Sequence, residues 1–167
     1  MASAVKGSQK YVQRYVNDYP SILSHLIISA CPNLLLLQSG DFQWVSPLRE
    51  NEYEEYRDKA FLHALGLDDR WDELKQFWPA KGPQWDALAT VKTSLGPGVV
   101  LVEAKSHLGE CVVKNGCGAT SEKSIWRIER AMTQARLFYG VNPHGTAWTG
   151  HHYQLCNRLA HLYFFNE

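Results

Sequence analysis

Asp86, Glu103 and Lys105 are the residues whose types and spacing could do chemistry together. Glu103 and Lys105 stand two apart in the run Val99-Val100-Leu101-Val102-Glu103-Ala104-Lys105, so on a β-strand both side chains leave the same face. Asp86 ends the stretch Pro83-Gln84-Trp85-Asp86, and Leu95-Gly96-Pro97-Gly98 reads as a turn between the two segments. If the turn is centred near Leu95 or Gly96, antiparallel pairing sets Asp86 opposite residue 104, give or take one. A one-residue slip would turn Asp86 to the other face. Charges at the end of so apolar a strand call for a metal, a partner or a substrate. Two converging carboxylates suit Mg²⁺, a hard cation that takes oxygen ligands and keeps several waters. Such an ion lowers the pKa of a water, orients it and neutralises charge on a phosphodiester. A neighbouring amine would hold or help deprotonate that water, or stabilise the pentacovalent phosphate.

Pro83-Gln84-Trp85-Asp86, then sixteen residues, then Glu103-Ala104-Lys105, resembles the PD-(D/E)XK, or restriction-endonuclease-like, nuclease superfamily. The resemblance covers roughly residues 48–165 around a short, degenerate motif. In the family the acid normally follows its proline directly, whereas here Gln84 and Trp85 intervene. The resemblance implies an α/β fold with an αβββαβ core and phosphodiester hydrolysis assisted by Mg²⁺ or Mn²⁺, with DNA favoured over RNA. It implies Asp86 and Glu103 as metal ligands, with Ala104 in the same set, and Lys105 as a catalytic residue.

Such enzymes often add an acid from the preceding helix. Ser46-Pro47 reads as an N-cap with a first-turn proline and Gly66 as a C-terminal stop, which predicts a helix between them. Its apolar face would hold Tyr53, Tyr56, Ala60, Phe61, Ala64 and Leu65, with Glu54 at the edge of that face and Glu55 pointing away. Glu54 is the candidate third acid, although a solvated helix residue is the plainer account. Tyr153-Gln154-Leu155-Cys156-Asn157-Arg158 is similar to the glutamine-bearing helix that some exonucleases of the superfamily place near the metal, which makes Gln154 a catalytic candidate. Lys123, Arg127 and Arg130 share one helix face, and Arg158 joins them as a candidate nucleic-acid contact. A solvated face explains the same spacing. His107, Cys111 and Cys117 fit no standard zinc spacing. His144, Trp148, His151 and His152 could stack on or hydrogen-bond a nucleic acid, or form an ordinary loop.

The elements that must position these residues follow from periodicity. Helices are expected over residues 8–18 and 21–30, a hairpin over 85–92 and 99–106, and helices over 121–139 and 153–165. The expectation is one domain, residues 1–45 forming a helical extension and 46–167 the nuclease-like core. The superfamily core needs a strand after its main helix, and only a loop and a helix follow Gly140. The fourth strand is therefore expected beyond residue 167, leaving an exposed sheet edge that invites pairing with a second copy.

With 17 basic and 17 acidic side chains the formal net charge is zero, so any phosphate-binding surface must be local. Four scattered cysteines without a CxxC pair, no signal-like N-terminus and an interrupted apolar stretch at 22–37 point to a reduced, cytoplasmic protein without a membrane span. The neutral balance also suits a rival reading, a catalytically inactive nuclease-like fold that acts as a binding or regulatory protein.

Overall fold

A computed structural model describes residues 3–31, 41–94, 96–111, 116–142 and 148–166. They fall into two compact units: Met1–Asp68 with Gln84–Ala104, and Asp69–Pro83 with Lys105–Glu167.

In the first unit, helix α1 (Gly7–Asp18) buries Val12 and Val16 one turn apart, and helix α2 (Pro20–Ala30) buries Ile28. Pro20 both stops α1 and opens α2, because its fixed φ suits a first helical turn. Strand β1 (Phe42–Ser46) follows, a strand the periodicity did not reveal. After the short helix α3 (Asp58–Ala64) come β2 (Ala87–Thr93) and β3 (Gly96–Val102). The sheet order is β1-β2-β3 and both pairs are antiparallel, so the expected hairpin forms, with Ala87 opposite Val102. Alternation then decides the core. Phe42 and Trp44, Ala87, Ala89 and Val91, and Val100 and Val102 all join Val12, Val16 and Ile28, with Leu23 and Ile27, in one apolar cluster. Trp44 Nε1 donates to Ser24 Oγ at 3.1 Å, which satisfies the polar tip of a buried indole.

The helix expected between Ser46 and Gly66 is mostly absent. Ser46 ends β1, its bond to Pro47 is cis, and its Oγ donates to the Glu54 carbonyl rather than capping a helix. A single 3₁₀ turn at Arg49–Asn51 ends where Glu52 and Tyr53 take positive φ values of 54° and 59°. The chain reaches a helix again only at Asp58. Tertiary pairing wins over local pattern here, for the Tyr56 carbonyl is taken by the Trp85 N–H at 3.1 Å. The expected stop at Gly66 is correct: φ is 72° and the Leu67 N–H returns to the Leu62 carbonyl at 2.9 Å.

The second unit contains α4 (Trp71–Phe77), α5 (Glu122–Phe138) and α6 (Tyr153–Asn166). Ser121 caps α5, accepting the Ser124 N–H at 3.2 Å, and Gly140 with φ 67° closes its C-terminus. Ile128, Ala131, Met132 and Ala135 form the buried stripe of α5, and α6 packs beside it. Phe77, Trp78, His161 and Phe164 make an aromatic cluster between α4 and α6.

The chain is thus mixed α/β, with six α-helices and one three-stranded antiparallel sheet among the described residues. No helix of the described residues is long and apolar enough to cross a membrane.

Candidate active site

The open end of the β2–β3 hairpin carries Asp86 and Glu103. β3 ends at Val102, so Glu103, Ala104 and Lys105 lie past the ladder and not within the strand expected over 99–106. Asp86 extends the pairing in their place. Its N–H donates to the Val102 carbonyl at 3.0 Å, and its carboxylate Oδ2 accepts the Ala104 N–H at 2.7 Å. The two bonds bracket Glu103 in the chain. Val102 and Ala104, on either side of Glu103, both pack on the helix-facing core cluster. Asp86, Glu103 and Ala104 are half-buried, and Lys105 is exposed. Lys105 begins the second unit. The same-face argument that joined it to Glu103 therefore loses its strand.

Trp85 explains how Asp86 is held. The indole is 1% exposed and meets the Phe61 ring edge-on at a centroid distance of 6.1 Å. One residue past Asp86, Ala87 is fully buried in the sheet. The acid thus sits between two anchored neighbours. Gln84, which separates it from Pro83, donates to Glu55 Oε2 at 3.1 Å and accepts from the Arg57 guanidinium.

Glu54 lies in an irregular segment, not on a helix, and is exposed. With Asn51, Glu55, Arg57 and Gln84 it lines a groove of about 520 Å³. Glu55, read from the sequence as pointing away, is the more buried of the two, accepting from Gln9 at 2.8 Å and from Gln84. Burial, with the Glu54 carboxylate behind it, raises the Tyr56 phenol above its ordinary range. Helical periodicity gives Glu55 the wrong direction because residues 52–57 are not helical, and nothing in the sequence marks Gln84 as its partner.

The basic candidates lie in the second unit. On α5, Lys123 and Arg130 are exposed, and Arg130 lies over the Trp126 ring at 5.6 Å. Arg127 is half-buried and donates to the Lys75 carbonyl at 2.8 Å, a structural use that the i, i+4, i+7 pattern did not separate from its neighbours. On α6, Gln154 is half-buried, and Arg158 donates to Asn157 Oδ1 at 2.6 Å. His161, on the same helix, is 1% exposed. One ring nitrogen, Nδ1, stands 2.8 Å from the Asn157 carbonyl, and burial pushes its pKa down to about 3. Burial, helped by Cys117, raises the Tyr153 phenol.

Among the described residues no group of three or more His, Cys, Asp or Glu side chains is gathered as a metal cluster. His107 pairs with Glu110 at 3.2 Å. His144 and the Cys111 side chain lie outside the described residues. No family model, curated protein or solved structure matches the chain.

Proposed function

We propose that this chain is a Mg²⁺- or Mn²⁺-dependent nuclease that hydrolyses phosphodiester bonds in DNA, RNA being the less favoured substrate, on a restriction-endonuclease-like core. The observation that carries the reading is the bond from the Ala104 N–H to the Asp86 carboxylate, which ties the two halves of the Asp86…Glu103-Ala104-Lys105 motif together. Part of the element order supports it as well: a three-stranded antiparallel sheet, with α3 and α4 between β1 and β2, precedes the long helix α5.

The donor set fits a hard divalent cation. Asp86 and Glu103 offer carboxylate oxygens, the Ala104 carbonyl is a third oxygen of the kind Mg²⁺ accepts, and half-burial limits their competition with bulk water. When bound, the ion supplies neutralisation of charge on the phosphodiester and a lowered pKa for the attacking water. The Ala104 N–H fixes one oxygen of Asp86 and so the direction of the other. Lys105, two residues beyond Glu103, is assigned the water, whose proton it helps to remove, and the negative charge that develops on phosphorus. An outer edge on β3, which pairs only with β2 among the described residues, is assigned to a second copy of the chain.

Cleavage of single- and double-stranded DNA across a panel of divalent metals tests the reading. Activity in Mg²⁺ or Mn²⁺ that Asp86→Ala and Lys105→Ala both abolish, with the fold intact, is expected. Undiminished cutting by either variant refutes the assignment. The zero net charge favours the second reading, an inactive nuclease-like binding or regulatory protein. No cleavage in any metal, with no calorimetric heat on Mn²⁺ titration, would select it.

A further inference from the structure

A pocket of about 200 Å³ in the first unit is lined by Lys10, Gln13, Arg14, Asp18, Arg49 and Tyr53, together with Ser3 and Ala4. Lys10 and Arg14 stand one turn apart on α1, and Arg49 comes from the turn after β1. Three cations thus face one pocket with a single carboxylate among them. That carboxylate is taken: Asp18 Oδ1 lies 2.6 Å from Arg49 Nη2. Arg49 Nε donates to the Tyr53 hydroxyl at 3.0 Å, and Arg14 Nη2 to the Tyr19 hydroxyl at 3.3 Å. Each guanidinium has five N–H groups in a fixed fork, so these bonds orient both and leave donors to spare. Asn17 holds the wall in register. Its amide donates to the Pro47 carbonyl at 2.8 Å and its Oδ1 accepts the Arg49 N–H at 2.7 Å.

Gln13 supplies a second, independent observation. It is 3% exposed, and its Oε1 accepts the Ala4 N–H at 2.8 Å. Its Nε2 is buried and meets no acceptor among the described residues. A buried donor without an acceptor is destabilising, so such groups are rarely left unpaired. Every neighbouring cation is itself only a donor. What the site lacks is a compact group made of acceptors and carrying negative charge.

We infer that this pocket binds a phosphate-class oxyanion. Four acceptor oxygens on one centre match donors arriving from α1 and from the Arg49 turn, with the Gln13 amide in the wall behind them, and the space holds one such group with several waters, each about 30 Å³. The group can be a free phosphate or one phosphodiester of a nucleic-acid backbone. The inference does not rest on the nuclease reading, because none of these residues belongs to the Asp86 motif.

Thermal melting in inorganic phosphate, against chloride at matched ionic strength, tests the first source. A saturating rise in Tm is expected, because a ligand that binds only the folded state stabilises it by mass action. The double variant Lys10→Gln/Arg14→Gln changes only exposed side chains, and should weaken the apparent affinity at least tenfold. Gln13→Glu, which keeps the acceptor for Ala4 but turns the unmet donor into an acceptor, should do the same. Fluorescence anisotropy with an oligothymidylate lacking a terminal phosphate tests the second source, with inorganic phosphate as competitor. Dependence of either probe's binding on Lys10 and Arg14 supports the site and names the source. If neither probe's binding depends on Lys10 and Arg14, whether it binds elsewhere or not at all, the inference is overturned.

Discussion

The Asp86 carboxylate accepts the Ala104 N–H at 2.7 Å, while the Asp86 N–H donates to the Val102 carbonyl at 3.0 Å. One residue is therefore fastened to both neighbours of Glu103. The side chain does what the next rung of the β2–β3 ladder would otherwise do, and it leaves Glu103 at the end of a rigid hairpin rather than on a free loop. The same carboxylate has two tasks in the nuclease reading, holding backbone and holding an ion. These can be separated by substitution.

Asp86→Asn keeps an oxygen that can accept the Ala104 N–H, whereas Asp86→Ala leaves that half-buried donor without its partner. The alanine variant should lose about 1–3 kcal/mol of stability and the asparagine variant markedly less. Both should lose metal-dependent cleavage, because a neutral amide is a poor ligand for a hard dication. Urea melts and a cleavage assay on the same preparations check this. Full activity in Asp86→Asn would mean that only the backbone task is real.

His161 makes the second unit sensitive to acid. Its pKa falls from 6.5 to about 3 because burial disfavours the imidazolium. Between those two values the unfolded chain binds a proton that the folded chain does not. Stability then rises with pH by about 1.4 kcal/mol per unit, is complete above about 6.5, and drains as pH falls through the window. His161→Phe keeps an aromatic ring beside Phe77 and Trp78 and removes the titration. Its stability–pH profile should be flatter than that of the parent by this slope between pH 6 and 4. Parallel profiles would show that His161 is not buried neutral.

Much of this architecture is legible in the sequence where one signal acts alone. Val12 and Val16 mark α1, Ser121 and Gly140 bound α5, and Leu95 to Gly98 separates the strands of the hairpin. Signals that depend on distant partners mislead. Ser46-Pro47 carries the residue types of a helix start, but Ser46 finishes a strand whose partner, Leu88, lies 42 positions on. Glu54 and Glu55 exchange roles for the same reason, since a 100° rotation per residue has no meaning in a segment with two left-handed residues. Asp86 and Glu103 can be placed at one end of the hairpin from the sequence because a tight turn converts sequence spacing into proximity. Periodicity groups Arg127 with Lys123 and Arg130 because it records a face, not what covers it.

Trp85 is expected to control the site through packing. Trp85→Ala opens a cavity beside Phe61 and should cost about 3–5 kcal/mol, against a smaller loss for Trp85→Phe, which still fills part of the space. If the indole positions Asp86, the phenylalanine variant should bind Mn²⁺ more weakly than the parent at a temperature where both are fully folded. Chemical denaturation with calorimetric titration separates the two effects. Unchanged Mn²⁺ affinity in a measurably destabilised Trp85→Phe would assign Trp85 to the core alone.

Lys123, Arg127 and Arg130 of α5 should divide in a salt titration. Lys123 and Arg130 are exposed, whereas the Arg127 guanidinium is bonded to the Lys75 carbonyl at 2.8 Å. If α5 lies along a duplex, each phosphate contact contributes about 0.9 to the slope of log affinity against log salt. Lys123→Ala and Arg130→Ala should each flatten the slope by about that amount and leave stability nearly unchanged. Arg127→Ala should do the reverse, lowering stability by about 0.5–1.5 kcal/mol through the lost bond to α4 with little change of slope. Anisotropy of a labelled duplex between 50 and 200 mM salt, paired with urea melts of the same variants, reads both quantities. A slope that neither Lys123→Ala nor Arg130→Ala alters would remove α5 from the nucleic-acid path and leave its cations as a solvated face.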